Sequence, residues 1–306
     1  MKCLPALVMI FSAALAPPAK AGTLCQFQHV ATIALHNNDY TISTQGIING
    51  HNLSFLVDTG SEGSLLTPEA LTLFDLVPDP LLKTIISGPD GKGHVVPGTT
   101  VSSLMVGGLH LDNVIFPVGE IPGAPLLHPP LLGLIGMDVL GRYDLDFDLP
   151  HNRLSFWEVR SDSLLCKHPP DWSGLTPVTT IRSLDARREG RRFMIPFMLD
   201  GHKGTALLDS GARSHIVSLS FVHKIGLSDE ALAQDPGGYS AGIGSRERRY
   251  QWHKFQQLRI GHEVTNTPTL TIAPMDSHAD MLLGADWFTT HHIWISNADG
   301  QIYLHP

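Results

Sequence analysis

The sequence is short of charge, of aromatic rings and of cysteine. Of its 306 residues only 16% are Asp, Glu, Lys or Arg, 7% are aromatic, and three are Cys. With so few charges and 42% hydrophobic residues the chain is not a disordered one, because it can bury enough apolar surface to offset the entropy of ordering. Lys and Arg number 21 against 29 Asp and Glu, a formal net charge of −8, and no long basic run occurs. That balance excludes the electrostatic footprint of a nucleic-acid binder. Beyond the N-terminus no apolar stretch reaches the roughly 18–20 residues that span a bilayer. Amphipathic helix windows are few, whereas Gly (29) and Pro (22) are abundant. A bundle and a βαβ sheet are disfavoured, and a turn-rich all-β chain of one or two domains is expected.

Residues 1–21 read as an export signal. Lys2 precedes an apolar run from Leu4 to Ala16, and Ala19-Lys20-Ala21 supplies a small-residue cleavage site. Cleavage after Ala21 gives a periplasmic or secreted protein without a membrane span. It also removes Cys3, leaving Cys25 and Cys166. An even pair in an oxidising compartment suggests a disulfide tying the first strand to the interdomain connection, with two free buried thiols as the alternative.

The remaining chain contains one pattern twice. Asn49-Gly50-His51 precedes Leu53-Ser54-Phe55-Leu56-Val57-Asp58-Thr59-Gly60-Ser61, and Asp200-Gly201-His202 precedes Thr205-Ala206-Leu207-Leu208-Asp209-Ser210-Gly211-Ala212. Downstream, Leu134-Ile135-Gly136-Met137-Asp138 matches Leu282-Leu283-Gly284-Ala285-Asp286. Asn152–Phe156 likewise matches Gly300–Leu304. The register implies a duplication: an N-terminal lobe over 22–160, a linker over 161–184 and a C-terminal lobe over 185–306. Within each lobe short β-prone runs dominate. Gly88-Pro89-Asp90-Gly91 reads as a turn between Ile85-Ile86 and Val95-Val96, and Val106–Leu109 and Arg259–His262 as hairpin turns. Helix is expected only over Thr67–Phe74 and Ser218–Ile225 and in the turns after Gly136 and Gly284.

A lone Asp-[Ser/Thr]-Gly tripeptide says little. Two of them, each after an apolar run, at equivalent repeat positions and each matched by a downstream apolar-apolar-Gly, say more. On these residues the chain resembles the aspartic proteases of the pepsin/retropepsin group, in a bacterial retropepsin-like form with both halves fused. The resemblance runs from about Ile33 to Leu304. It implies two pseudo-symmetric lobes, each a small closed β-barrel, with the active site at their interface and an extended peptide as substrate. It implies that Asp58 and Asp209 form the catalytic pair, and that Thr59 and Ser210 cross-link the two loops. Gly136 and Gly284 then support the loops from the adjacent strand, and no cofactor or metal is called for. It further implies a monomer with an intramolecular lobe pair, and hairpin flaps over Ile86–Val96 and Tyr239–Arg249.

The chemistry follows from the residue types. Two carboxylates a few ångströms apart cannot both ionise, so one serves as base toward a water and the other as acid. Gly60 and Gly211 let the backbone turn tightly beside each carboxylate. The Ser61 hydroxyl is expected to donate to Asp58, an option Ala212 denies Asp209, which would make Asp58 the more acidic partner. Asp138 and Asp286 read as caps of short helices. Asp144, Asp146 and Asp148 read as the solvated face of a strand whose Leu145 and Phe147 point inward, since Leu149 and Ser155 stand where a calcium loop needs Gly and Glu. The seventeen histidines show no zinc spacing, and His291 and His292 would point to opposite faces. The run Arg187–Arg192 reads as a solvated linker edge. A non-catalytic peptide-binding module with the same fold is the alternative function.

Overall fold

The computed structural model describes residues 25–87, 93–161, 179–182, 184, 192–240, 247–275, 279–298 and 300–304. Each half is organised around a hairpin that aims an aspartate at the centre of the molecule. In the first half, strands Thr41–Ile48 and His51–Val57 are joined by Asn49 (φ 47°) and Gly50 (φ 87°). In the second, Met194–Leu199 and His202–Leu208 are joined by Asp200 (φ 47°) and Gly201 (φ 82°). A two-residue turn with both φ positive matches the twist of an antiparallel pair, and Asn-Gly or Asp-Gly adopts it at least cost. The turns fix the registers Ile48 opposite His51 and Leu199 opposite His202.

The second strand of each hairpin is covered on both faces. Leu53–Val57 are all buried and run parallel to Leu131–Ile135, with Val57 opposite Ile135. Leu208 stands opposite Leu283 in the same parallel arrangement. Continuous apolar runs are what parallel pairing in a covered sheet requires. Asp58 and Asp209 are the first residues past these strands, and each main-chain N–H donates to the carbonyl of Ile135 or Leu283 (both 3.0 Å).

Among the described residues the first half forms an eight-stranded sheet and the second a nine-stranded one. Neither closes, which corrects the expectation of barrels. The first sheet runs from Leu65–Leu66 at one edge to Asp79–Ser87 at the other. That last strand forms a hairpin with Gly93–Val106, whose further partner Leu109–Pro117 leads back to the opposite edge only through one isolated bridge, Leu66 with Val118, too little to close the sheet. A third sheet joins the halves. It orders Cys25–Ala34, Arg153–Ser161 and Asp144–Asp148 beside His292–Ser296, Gln301–Leu304 and Thr179–Arg182. One apolar core runs through both halves, from Ile42 and Phe55 through Phe147 and Phe288 to Leu208 and Ile272.

The expected short helices form at Pro68–Leu73, Leu219–Lys224, Met137–Leu140 and Ala285–Phe288, and Asp229–Leu232 adds an unexpected turn. The reading of Asp144, Asp146 and Asp148 as solvated is overturned. Leu145 and Phe147 are inside, but Asp144 and Asp148 are buried too, because the strand is internal to the joining sheet. Asp144 accepts from Ser296 Oγ (2.8 Å), Trp294 Nε1 (3.3 Å) and the Ala298 N–H (2.9 Å). Asp146 pairs with His292, and Asp148 with His151 and Arg153. The segment read as a linker contributes the strand Thr179–Arg182. Residues 1–24, Cys166, 88–92 and 241–246 lie outside the described residues.

Candidate active site

The two Asp-[Ser/Thr]-Gly loops meet across the junction of the halves. Thr59 Oγ1 donates to the carbonyl of Leu208 (2.9 Å) and accepts from the Ser210 N–H (3.0 Å). In mirror fashion Ser210 Oγ donates to the carbonyl of Val57 (2.7 Å) and accepts from the Thr59 N–H (3.0 Å). Thr59 is 2% exposed and Ser210 fully buried, so water competes for none of the four bonds.

This lattice brings the carboxyl groups of Asp58 and Asp209 into the same space, each lying against the glycine of the opposite loop and close enough for the two acids to couple. Each glycine is required by that approach. A Cβ on Gly60 would overlap the Asp209 carboxylate, and one on Gly211 that of Asp58. Without side chains there, the Gly60 and Ser61 N–H groups donate to Asp58 Oδ1 (2.9 and 3.0 Å). Those of Gly211 and Ala212 donate to Asp209 Oδ1 (3.0 and 3.1 Å). Burial pushes Asp58 well above the usual carboxylate range, and the Asp209 charge adds to it, against the N–H groups of Gly60 and Ser61. Burial also raises Asp209, opposed by the Ala212 N–H, the Gly211 N–H and the Arg192 charge.

Residues 44–139 match the family model described as aspartyl protease, and residues 195–290 match that of the gag-polyprotein aspartyl protease. Two retropepsin-like aspartyl protease domains stand in tandem. The matched ranges are offset by 151 residues at both ends, the same spacing as between Thr59 and Ser210. No curated protein matches the chain.

Around the aspartates the two protease domains repeat one another closely. Gly136 and Gly284 lie against the loops, where a Cβ would overlap the carbonyl of Gly63 or of Ser214. The residue after each glycine donates its N–H to the carbonyl of Ser61 (2.9 Å) or Ala212 (2.7 Å). The N-cap residues are the glycines themselves, but Asp138 and Asp286 do bond the first turn, each Oδ1 accepting the next N–H, of Val139 or Trp287 (both 3.0 Å). Their carboxylates also reach back to the loops. Ser64 Oγ donates to Asp138 (2.7 Å) and accepts from the Gly136 N–H (3.0 Å). Asp286 Oδ2 bonds His215 through its N–H (3.1 Å) and Nδ1 (2.7 Å). Ser64 and His215 each stand six residues past an aspartate, a correspondence legible in the repeat.

The expected role of Ser61 is overturned. Its hydroxyl donates to the Gly63 carbonyl (2.8 Å), and it touches Asp58 through its main-chain N–H, as Ala212 does Asp209. The loop turns the side chain away from the carboxylate, so this pair of residues makes no difference between the two acids. Arg192, at the end of the run expected to be a solvated linker edge, is instead paired to Glu62 across the junction (2.5 Å).

Two apolar clusters separate from the main core flank the aspartates. Leu56, Leu65, Leu131 and Leu134 gather with Ile121 and Leu127. Leu207, Met275, Ala279 and Leu282 gather with Met194, Ala212 and Ile216. Leu56 and Leu207 each precede an aspartate by two residues and so share its side of the strand. The described stems of the two hairpins are antiparallel pairs, with Ile85 opposite Val95 and Tyr239 opposite Arg249. Three histidines of the second half are held by carboxylates: His253 by Asp235, His291 by Glu263 and His292 by Asp146.

Proposed function

We propose that the protein is an aspartic endopeptidase in which Asp58 and Asp209 activate a water molecule to hydrolyse peptide bonds. The observation that supports this reading is the approach of the two carboxyl groups, held by four buried cross-loop hydrogen bonds and admitted only by Gly60 and Gly211, which disfavours double ionisation. A pair sharing one proton offers a carboxylate to take a proton from water and a carboxyl to donate to the scissile carbonyl oxygen as it becomes tetrahedral. Thr59, Ser210, Gly60 and Gly211 hold the pair in place, with Gly136 and Gly284 behind them. Ser61 contributes its N–H. The apolar clusters on either side suit an extended peptide with apolar side chains flanking the cut, and the two hairpins suit a pair of flaps closing over it. The duplicated chain supplies both acids, in keeping with a monomer.

Export to the periplasm or medium is part of the same proposal. It rests on the apolar run Leu4–Ala16 and the Ala19-Lys20-Ala21 site. In that compartment Cys25 would pair with Cys166, since Cys25 stands opposite Ser161, five residues short of Cys166. Thiol counting on the exported protein, before and after reduction, checks the pairing.

The test is cleavage of a mixed peptide pool by the purified chain across the acid to neutral range. Activity should vanish in Asp58→Asn and in Asp209→Asn with circular dichroism unchanged. Peptide binding without any cleavage by the unaltered chain would overturn the proposal in favour of a binding module.

A further inference from the structure

We infer, building on that reading, that Arg192 is a positioning residue which keeps the negative charge on Asp209 and leaves the proton on Asp58. Asp209 is then the base toward water, and Asp58 the acid toward the carbonyl.

The register of the second hairpin places the cation. Met194 stands opposite Leu207, and beyond it the Leu208 N–H donates to the Phe193 carbonyl (2.9 Å). One step further along the same ladder sets Arg192 beside Asp209. Its guanidinium is tethered by Glu62, which lies four residues past Asp58 in the other half, so the cation is drawn toward the junction. In the first half Ser43 stands opposite Leu56, and the same step sets Thr41, buried and uncharged, beside Asp58.

The other hydrogen-bonding and charged neighbours balance, and burial adds a difference of the same sign, Asp58 being buried and Asp209 partly exposed. Each aspartate accepts two main-chain N–H groups at nearly equal lengths, and the Ser61 hydroxyl is engaged elsewhere. Arg213, four residues past Asp209, is turned toward the first half, where Nη2 donates to the Gly123 carbonyl (3.0 Å) and Nη1 lies 3.9 Å from Asp39. Asp138 and Asp286 are taken up by Ser64 and His215. A cation next to one of two coupled acids stabilises the ionised form of that acid. The Arg192 charge acts to lower Asp209, whereas no cation is among the influences on Asp58, which agrees in direction.

The experiment is a carboxyl-carbon NMR titration of the full chain labelled at aspartate side chains, with resonances assigned from Asp58→Asn and Asp209→Asn. The lower midpoint should belong to Asp209. Arg192→Gln should move it to higher pH, and Arg192→Lys, which keeps the charge, should leave it close to the unaltered chain. Glu62→Gln breaks the same bridge but keeps the cation, and should not raise it. The inference falls if the lower midpoint belongs to Asp58, or if Arg192→Gln, folded by circular dichroism, leaves the midpoint in place. It falls equally if Glu62→Gln raises it as far as Arg192→Gln does, since the bridge and not the charge would then matter. No turnover is needed, so a chain that titrates as expected yet cleaves nothing would refute the endopeptidase reading alone.

Discussion

Replacing Thr59 by valine removes one hydroxyl with almost no change of shape, and the structure sets the consequence. The lost oxygen serves two main-chain groups of the other half, the Leu208 carbonyl at 2.9 Å and the Ser210 N–H at 3.0 Å. Both lie where water does not reach, with Ser210 fully buried. A buried main-chain group left unpaired costs about 1–3 kcal/mol, and the loops can relax somewhat, so the total should be about 2–4 kcal/mol. That is a large part of the roughly 5–15 kcal/mol that holds a domain folded. Thr59→Ser keeps the hydroxyl and should cost only about 1 kcal/mol, for one methyl group. Ser210→Ala removes the other two bonds and belongs in the same range as Thr59→Val. The two sets share no atom, but they join the same two loops. Once one set has gone the loops separate more easily, and the double variant should cost less than the sum. Equilibrium urea unfolding with an unchanged slope measures all four variants. A Thr59→Val loss below about 0.5 kcal/mol, the size of an ordinary surface change, would refute the reasoning. So would a Thr59→Ser loss equal to it.

Four other outcomes are expected. Gly60→Ala and Gly211→Ala each drive a methyl into the opposing carboxylate; peptide hydrolysis should be lost in both, with a stability cost of about 1–3 kcal/mol by urea unfolding. Asp286→Asn should loosen the loop held through His215 and cost about 1–3 kcal/mol, whereas Asp286→Glu should recover part of it. Burial works to raise Asp148, but the His151 hydrogen bond and the charges of His292, Arg153 and His151 outweigh it and hold the group below its ordinary value. Its contribution is therefore present above the unfolded value of about 3.9 and lost as the pH falls through the lower folded one, and Arg153→Gln should flatten that limb of the stability curve. Burial works to lower His291, but its bonds to Glu263 and the Trp287 carbonyl win and raise it. That contribution is full below the unfolded value of about 6.5 and lost as the pH rises through the folded one, and His291→Gln should remove this alkaline loss in the same assay.

What the sequence disclosed, and what it hid, divides by the range of the interaction. The hairpin turns, the apolar strands and the aspartates that follow them are local, and each half confirms the other through the repeat. The error at Asp144, Asp146 and Asp148 came from assuming that a strand with alternating acids has a wet face. Asp148 is held by its near neighbours His151 and Arg153, but the partner strand carries His292, Trp294 and Ser296 about 150 residues away, and these take up Asp144 and Asp146. No local pattern encodes that pairing. Ser61 was misjudged for a smaller reason: the residue is where it was expected, but the loop points its hydroxyl at Gly63 and its N–H at Asp58. Arg192 was read as the end of a basic solvated run. Only the ladder continued past Met194 shows that one member of the run stands beside an aspartate.

The two halves are alike where geometry constrains them and unlike where charge sits. Glycine, aspartate and a hydroxyl recur at each loop because the approach of the two carboxylates admits nothing larger and the cross-bonds need an oxygen. Away from that centre the equivalents diverge: Thr41 against Arg192, Glu62 against Arg213, Ser64 against His215. In the last pair the feature retained is the carboxylate of Asp138 or Asp286, and either a hydroxyl or an imidazole will engage it. A peptide has a direction, and a cleft with true twofold symmetry would present the same face to either. Opposite charges at matched positions, Glu62 on one loop and Arg213 on the other, remove that equivalence. The centre therefore carries the chemistry proposed for the pair, and the charged positions around it are what make the two halves inequivalent.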